Sequence, residues 1–362
     1  MTSAHRAKDE RIFFKEAVSL ARNQHEVYIV AEGNDREECG VHFLGAGSPP
    51  ESRLNRMLCF SKSVYQKALQ VNADIYHFHD PELLPYALKL KRKGKKVIFD
   101  SHENTVEQIM EKEWIPAFLR IPMYRCFDVY QKYVCKRIDA VISVTPHICD
   151  YFKAFAQKVE MITNYPELKP VSEQLDRKSH TLCFAGGIAE QWCHREVIEV
   201  LPEIADCTYV LCGNGSGDYF AQLQQLPGWQ YVDFQGQIPH TKVHDLLCSS
   251  GIGISLLKPS HNTGWNIGTM GNTKIFEEMM AGLPVICTDF SLWREFVDRY
   301  HCGICVQPDN LQQIAKAIRF LLDNPAEARR MGENGRRAVK EEFNWGVEEK
   351  KLLALYEDVL KA

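Results

Sequence analysis

The sequence lacks any long apolar run. No stretch approaches the roughly 18 residues that a membrane-spanning helix needs, so we expect no integral membrane span. The first residues, MTSAHRAKDERIFF, have no apolar core of the kind that directs secretion, and we therefore expect a cytoplasmic protein. Basic residues (43) do not outnumber acidic ones (47), and the formal net charge of −4 argues against a nucleic-acid partner.

The sequence also lacks a paired cysteine framework. Its 13 cysteines are odd in number, and most lie in apolar stretches such as TLCFAGG, which is typical of buried, reduced thiols rather than disulfides. Cys302 and Cys305 form a single CxxC with no second copy, so we predict no zinc site there. We expect no metal ion elsewhere either, because HxHD at 77–80 has no matching set of ligands.

The chain is rich in short apolar runs that alternate with longer amphipathic segments. At 362 residues, it is long enough for about two domains. The alternation predicts parallel sheets with helices on both faces, hence two doubly wound α/β domains. The predicted strands are 25–31, 73–79, 95–102, 139–145, 181–187, 208–213, 230–236, 251–257 and 283–289. The predicted helices are 9–22, 81–93, 116–136, 193–205, 216–226, 240–249, 273–281, 291–298 and 344–361.

The proline- and charge-rich segment 163–180 has no periodic apolar pattern, and we place the domain boundary there. We predict an N-terminal domain at 1–167, a C-terminal domain at 168–343 and a final helix at 344–362. Ligands of doubly wound sheets bind beyond the carboxyl ends of the strands, so candidate site residues are sought there.

Two strand ends in the first half carry polar residues. In HFHDPELLP (77–85) we expect Asp80 to cap the following helix and only one of His77 and His79 to face a ligand. In FDSHENT (99–105) we expect a functional role for His102, with Glu103 beside it. The alternative is an ordinary helix start with Glu103 in its first turn.

Three strand ends in the second half carry glycines. FAGGIAEQWCHREV (184–197) places Gly186 and Gly187 before a helix start, an arrangement that suits phosphate binding or simply a tight turn. VLCGNGSGDY (210–219) lacks the G-x-G-x-x-G spacing of a dinucleotide site, which disfavours an NAD-dependent oxidoreductase. GWNIGTMGNTKIFEEMMAGLPVI (264–286) is the strongest candidate, since a glycine-rich loop leads into a capped helix with Lys274 near its start. Either Glu277 or Glu278 can then reach a ligand.

Residues 272–310 (NTKIFEEMMAGLPVICTDFSLWREFVDRYHCGICVQPDN) resemble the retaining family 4 glycosyltransferases of the GT-B fold, and 9–31, 74–85 and 96–103 fit the same family. The resemblance implies two facing Rossmann-like domains, with the final helix packing back on the first. It also implies a nucleotide sugar, UDP- or GDP-linked, as donor substrate and no cofactor or metal. The chain contains no D-x-D pair, which would hold a metal in the other glycosyltransferase fold.

The resemblance also implies roles for particular residues. His102, Lys274 and Glu277 would act at the reacting centre, with Glu277 binding the donor ribose. Donor-binding positions would be Gly186, Gly187, Arg195, Gly213, Gly236, Ile238, Thr269, Gly271, Asn272, Thr273, Lys274 and Glu277. Acceptor-side positions would be Asp9, Arg11, His79, Asp80 and Glu103. The family usually has a glutamate where Thr269 stands, an arginine where Gly187 stands, and a first strand before residue 1.

The implied function is transfer of a hexosyl-type sugar to a glycan or lipid-linked acceptor in capsule, exopolysaccharide or O-antigen synthesis. Rival hypotheses are a sugar-nucleotide epimerase or phosphorylase on the same fold, and a non-catalytic sugar-nucleotide-binding partner of a transferase. Two basic segments, 89–96 and 111–137, favour either peripheral contact with the inner membrane or ordinary solvated and core helices. The sequence leaves the oligomeric state open.

Overall fold

A computed structural model describes residues 1–112, 114–170, 177–204, 206–261 and 263–362. The chain forms two compact units, Met1–Asn164 with Trp345–Ala362, and Tyr165–Asn344. Both are mixed α/β units with parallel sheets, which confirms the predicted class of two Rossmann-like domains. None of the helices in the described residues combines the length and the apolar character needed to cross a membrane.

Three sheets contain all the strands of the described residues. The N-terminal unit has a sheet of order β1-β3-β2 and a parallel sheet of order β4-β5-β6-β7, and the C-terminal unit has a parallel sheet of order β10-β9-β8-β11-β12-β13. The strands are β1 (Val27–Ala31), β2 (Arg36–Glu38), β3 (Val41–Gly45), β4 (Ile75–Phe78), β5 (Lys96–Ser101), β6 (Ala140–Ser143), β7 (Val159–Met161), β8 (Thr181–Ala185), β9 (Thr208–Cys212), β10 (Val232–Gly236), β11 (Ile252–Ser255), β12 (Val285–Thr288) and β13 (Gly303–Val306).

Helices cover the faces of these sheets. They are α1 (Val18–Arg22), α2 (Arg53–Asn55), α3 (Ser61–Val71), α4 (Leu84–Arg92), α5 (Thr105–Glu111), α6 (Ala117–Cys135), α7 (Pro146–Lys153), α8 (His194–Val200), α9 (Gly217–Gln224), α10 (His240–Ser249), α11 (Thr273–Met280), α12 (Ser291–Tyr300), α13 (Leu311–Asp323), α14 (Pro325–Glu341) and α15 (Trp345–Lys361). Wider π-helical turns, Glu10–Ala17 and Arg56–Phe60, precede α1 and α3. Short 3₁₀ turns are Pro81–Leu83, Glu190–Trp192, Leu201–Glu203 and Pro227–Tyr231.

Four strands were not predicted from the sequence. β2 has the sequence REE and carries no apolar residue, so it gives no strand signal, and it is the one antiparallel strand among the described pairs. Of the other three, β7 has only three residues, whereas β3 with five and β13 with four are as long as the predicted strands β1 and β12. The central strands were found because both of their faces are buried, which makes them continuous apolar runs such as VICT in β12.

The last helix, α15, belongs to the N-terminal unit. The indole of Trp345 donates a hydrogen bond to Ser19 Oγ at 2.9 Å. The carboxylate of Glu348 accepts one from the backbone of Thr163 at 2.7 Å, and the Tyr356 hydroxyl lies 2.9 Å from His77 Nδ1. Its apolar side chains pack with the core residues of β5 and β6.

The two sheets of the N-terminal unit end beside a gap. β1 is an edge strand of one sheet, and β4 is an edge strand of the other. At the carboxyl ends of β1 and β4, residues 1 and 2 bridge this gap. The Met1 amine donates to the His77 carbonyl at 2.7 Å, and the Thr2 amide donates to the Val30 carbonyl at 3.0 Å. Next to these contacts, between the two strands, lies a cavity of about 330 Å³ lined by residues of both, including Val27 and Ile75.

This gap predicts that an added strand stabilises the protein. Residues 1 and 2 already make hydrogen bonds to both neighbouring strands, as an inserted strand would. Burial lowers the pKa of the Met1 amine to about 6, and an amide nitrogen at this position would carry no charge and avoid this desolvation cost. We expect fusion of a short β-branched, apolar segment before Met1 to raise the Tm by at least about 3 °C, the effect of roughly 1 kcal/mol in a domain of this size. Calorimetry measures the shift.

The control is a glycine- and serine-rich extension of the same length, which adds the neutral amide without a side chain that fits the cavity. Equal Tm values for the two extended proteins would contradict the prediction.

Candidate functional site

Three glycines follow adjacent strands of the C-terminal sheet. Gly186, Gly213 and Gly236 lie at the carboxyl ends of β8, β9 and β10. Their backbones are linked, since the Gly213 amide donates to the Gly236 carbonyl at 2.9 Å. A Cβ atom on Gly213 would lie 2.2 Å from the Gly186 carbonyl oxygen, so only glycine allows the two turns to approach this closely. The strand ends thus form a surface of closely approaching, half-buried glycine backbone.

Lys274 lies across this glycine surface. A Cβ atom on Gly186 would lie 2.1 Å from Lys274 Cε, so the glycine makes room for the lysine side chain. The Lys274 ammonium lies 4.3 Å from the ring centroid of Trp192, a cation–π distance. Burial lowers the pKa of Lys274, while Glu277 and Glu278 oppose the shift. A cation held with little water around it interacts strongly with an incoming anion.

The loop before α11 is held by specific contacts. Asn272 caps the helix, because its side-chain oxygen accepts from the Lys274 amide at 3.3 Å. Thr269 accepts through Oγ1 from the Gly271 amide at 3.1 Å and through its carbonyl from the Trp293 indole at 2.8 Å. Among the described atoms, the side-chain amide nitrogen of Asn272 is buried without a hydrogen-bond partner. The helix start therefore offers amide donors to an anion.

The two acidic residues of α11 have different environments. Glu278 is buried, accepts from Ser255 Oγ at 2.9 Å, and has a pKa that burial raises to about 8. Glu277 is only partly buried and follows Lys274 by three residues, which places both on one face of the helix. Of the two candidates, Glu277 is therefore the one that a ligand can reach.

The remaining predicted donor-binding residues have varied surroundings. Gly187 has open space beside it, with Trp192 Nε1 the nearest atom to a Cβ at 3.8 Å, and Ile238 is half-buried after β10. Thr273 is the first residue of α11. The Arg195 guanidinium contacts Gln222 at 3.0 Å and Glu199 at 3.8 Å. Lys274, rather than Arg195, is thus the cation that lies over Gly186.

The N-terminal unit contains a cluster of buried charges. Arg11 Nε donates to Asp100 Oδ2 at 2.8 Å and lies 2.9 Å from Glu16 Oε1. Burial alone would raise the pKa of Asp100, but Arg11 and His102 hold it well below its usual range. Burial raises the pKa of Glu16 well above its usual value despite Arg11. Asp100 is therefore ionised at neutral pH, while Glu16 holds its proton more tightly than an ordinary glutamate does.

His102 joins this cluster at its partly exposed side. His102 Nε2 lies 3.1 Å from Asp100 Oδ2 and 3.2 Å from His79 Nδ1. Burial lowers the pKa of His79 to about 4, so its imidazole is neutral at pH 7. The expectation that only one of His77 and His79 faces the site is wrong: their ring centroids are 4.5 Å apart, because residues two apart in a strand share a face.

Asp80 has a different role from the predicted one. Its side chain makes no capping hydrogen bond to the following helical turn. Instead, Asp80 accepts from Thr2 Oγ1 at 2.7 Å and the Ser3 amide at 2.6 Å, and it lies 2.8 Å from His5 Nδ1. Burial alone would raise the pKa of Asp80, but His5 and these donors lower it. The carboxylate therefore fixes residues 2–5 beside the cluster.

Two further acceptor-side candidates lie near this region of the unit. Asp9 accepts from the amides of Arg11 and Ile12 at 2.9 and 3.1 Å, so it caps the helical turn that carries Arg11. Glu103 is exposed and accepts from Gln108. The sequence analysis did not single out Glu16 or Asp100. The available signal was a charged residue inside an apolar segment, in RIFFKEA and in the strand VIFDS.

Four side chains of the cluster could hold a metal by distance alone. The nearest ligand atoms of Glu16, His77, His79 and Asp100 lie within 4.8 Å of one another. The guanidinium of Arg11, however, is already placed between the two carboxyl groups. Because Arg11 supplies positive charge at that point, we assign no metal to these residues.

Known proteins resemble both units. The model of the group 1 glycosyl transferases matches residues 167–338, and the model of glycosyltransferase family 4 matches residues 10–165. A glycosyltransferase structure from Rickettsia africae aligns with a TM-score of 0.76 at 17% identity, over 100% of this chain and 97% of that one. The chain therefore belongs to the glycosyltransferases of the GT-B type.

Two further proteins are similar over most of their length. The D-rhamnosyltransferase WbpZ of Pseudomonas aeruginosa is 20% identical over 304 residues, which are 78% of this chain and 74% of that protein. The structure of Anabaena HepE in complex with UDP and glucose has a TM-score of 0.72 at 13% identity and covers 94% of each chain.

The buried carboxyl group of Glu278 gives a pH-dependent stability. Between its ordinary pKa of 4.5 and about 8, the folded protein keeps a proton that the unfolded chain loses, so stability falls as the pH rises through this range. We expect wild type to lose about 1.4 kcal/mol per pH unit relative to Glu278→Gln, which has no proton to release. Urea unfolding of both proteins across the range measures the difference.

Parallel curves for the two proteins would show that Glu278 is not protonated in the folded state. Glu199→Gln, at an exposed position in α8, is the control and should follow wild type.

Proposed function

We propose that the protein transfers a hexosyl-type sugar, with retention of configuration, from a UDP- or GDP-sugar to a glycan or lipid-linked acceptor. The product would be a surface polysaccharide: capsule, exopolysaccharide or O-antigen. The reaction would take place in the cytoplasm, with peripheral contact to the inner membrane. The observation that carries the proposal is the desolvated Lys274 ammonium, which lies over Gly186 at the amino end of a capped helix.

The leaving diphosphate is the group that these elements would stabilise. Charge develops on the diphosphate as its bond to the sugar breaks, and preorganised donors lower the barrier most where charge appears. The amides at the start of α11 and the Lys274 ammonium supply such donors without a metal ion. Gly271, Asn272 and Thr273 would contribute through the backbone of the same turn.

The ribose and the sugar would contact other residues. We assign the ribose hydroxyls to Glu277, whose carboxylate lies on the same helix face as Lys274. Thr269, which stands where the family usually has a glutamate, would offer a hydroxyl to the donor sugar instead of a charge. In the N-terminal unit, we assign the reacting sugar to His102 and the acceptor to the residues around it, Asp9, Arg11, His79, Asp80 and Glu103.

The comparisons support the donor class. HepE was solved with UDP and glucose, and WbpZ is a rhamnosyltransferase, so sugars and a uridine nucleotide occur with proteins similar to this one. Because one of these two proteins was solved with glucose and the other is a rhamnosyltransferase, we choose a hexose or deoxyhexose as the transferred sugar.

A donor screen tests the proposal. We expect one nucleotide sugar, among UDP- and GDP-linked hexoses, to raise the Tm, because a ligand at 100 times its dissociation constant adds about 2.7 kcal/mol of stability. Glu277→Ala should weaken the binding of that nucleotide sugar by about 2 kcal/mol, the scale of a hydrogen bond to a charged group. Proton NMR of the product formed with an acceptor gives the anomeric configuration.

Glu333→Ala removes an exposed glutamate from α14 and serves as the matched control, with unchanged affinity expected. Nucleotide binding without transfer to any acceptor would favour the non-catalytic alternative. Conversion of the nucleotide sugar without an acceptor would favour an epimerase.

A second prediction separates the diphosphate from the rest of the donor. Lys274→Met keeps the length and apolar contacts of the side chain but removes its charge. We expect this variant to bind the nucleoside diphosphate about tenfold more weakly, while the affinity for the uncharged nucleoside changes little. Calorimetric titration of the two ligands measures both effects, and an equal loss for both would contradict the assignment of Lys274 to the phosphates.

A further inference from the structure

Helix α6 exposes several large apolar side chains to solvent. Phe118 is 78% exposed, Val129 is 67% exposed and Ile121 is 54% exposed. These positions recur at spacings of three to eight residues and therefore lie along one face of the helix. Tyr133 extends the same face by one more turn. In an ordinary surface helix this face is polar, so α6 is unusual in carrying apolar side chains on its solvent face as well as at the buried positions Val134 and Cys135.

A second segment also exposes large apolar side chains. In and next to α2, Leu54 is 63% exposed and Leu58 is 62% exposed, and Trp114 precedes α6 with 54% of its surface exposed. The Arg53 guanidinium lies 5.0 Å from the Trp114 ring centroid, which brings the two segments together. We define the apolar surface as Leu54, Leu58, Trp114, Phe118, Ile121, Val129 and Tyr133.

Positive charges accompany the apolar surface. The segment 112–137 contains six basic and two acidic residues, whereas the whole chain has an acidic excess. Arg125 is exposed on the same helix face as Phe118 and Ile121. The Arg137 guanidinium lies 3.7 Å from the ring centroid of Tyr133. Apolar and aromatic side chains combined with arginine and lysine are typical of helices that lie on anionic membranes.

We propose that the apolar surface binds an anionic bilayer, with α6 lying in the plane of the lipid headgroups. The helix is about 28 Å long, at 1.5 Å for each of its 19 residues, and it presents aromatic side chains near both ends, as interfacial helices do. The cationic excess matches the anionic headgroups. The proposed function enters this proposal at one point: it supplies the reason for membrane binding, which is access to a lipid-linked acceptor.

The basic run at 89–96 is partly used within the fold. Lys91 and Lys96 both lie within salt-bridge distance of Asp139, at 2.7 and 3.9 Å. Lys89 lies 4.9 Å from the ring centroid of Tyr86. In addition, 89–96 exposes no large apolar side chain, which makes α6 and the segment around Arg53 the stronger candidates for the membrane surface.

Vesicle co-sedimentation tests the proposal. We expect wild type to bind phosphatidylcholine vesicles that contain phosphatidylglycerol, and to bind pure phosphatidylcholine vesicles less. The double variant Phe118→Glu/Ile121→Glu should bind the anionic vesicles at least about tenfold more weakly, because it replaces two apolar side chains by charges that the lipid repels. Phe320→Glu, at a 42% exposed phenylalanine in α13, is the matched control and should bind like wild type.

Three results would overturn the proposal: no binding of wild type to anionic vesicles, equal binding of wild type and the double variant, or a dimer that Phe118→Glu dissociates while vesicles are ignored. The last result would make the surface an interface between copies of the chain. Circular dichroism and the Tm confirm that the variants fold. Vesicle binding needs no donor, so its outcome is independent of the donor screen.

Discussion

The absence of a side chain at Gly186 is the constraint on which the candidate donor site depends. Lys274 Cε would be 2.1 Å from any Cβ at that position, so the lysine can cross the strand ends only because the glycine is there. The aromatic face of Trp192 then holds the ammonium in place, and the cap at Asn272 fixes the helix from which the lysine extends. Charge, helix start and glycine turns are thus held in one arrangement before any ligand arrives.

The N-terminal unit solves a different problem, the burial of several ionisable groups. Removing charges from water is costly, and a buried pair is retained only where its partners satisfy each other. Arg11 Nε offsets part of this cost by contacting both Asp100 and Glu16, although Arg11 Nη1 and Nη2 are buried without a hydrogen-bond partner among the described atoms. Burial keeps the nearby His79 neutral, so His79 adds no second positive charge. His102 is the member of this group that reaches solvent, and its environment is therefore set by residues deeper in the sheet.

Much of this arrangement follows from the sequence. Strands with both faces buried were found as apolar runs, and the α11 region was found because an asparagine cap, a lysine and a glycine stop occur in order. The sequence does not predict that Glu278 is buried and Glu277 accessible, since this depends on which helix face packs on β11. The role of Asp80 was not predictable either: its donors, Thr2 and Ser3, are distant in sequence, whereas a helix cap is a local pattern. Asp100 was missed because its partner Arg11 is distant in sequence and lies outside the strand.

The position of α15 bears on how the chain is made. Leu20, Ile98, Ile142 and Ile162 share a core with Trp345, Leu352 and Tyr356, so the first unit remains open on one side until α15 has been synthesised. The second unit, in contrast, is drawn from one continuous stretch, Tyr165–Asn344, and can close during translation. A nascent chain would therefore carry a finished second unit and an unfinished first one, whose apolar strands stay uncovered until α15 is added.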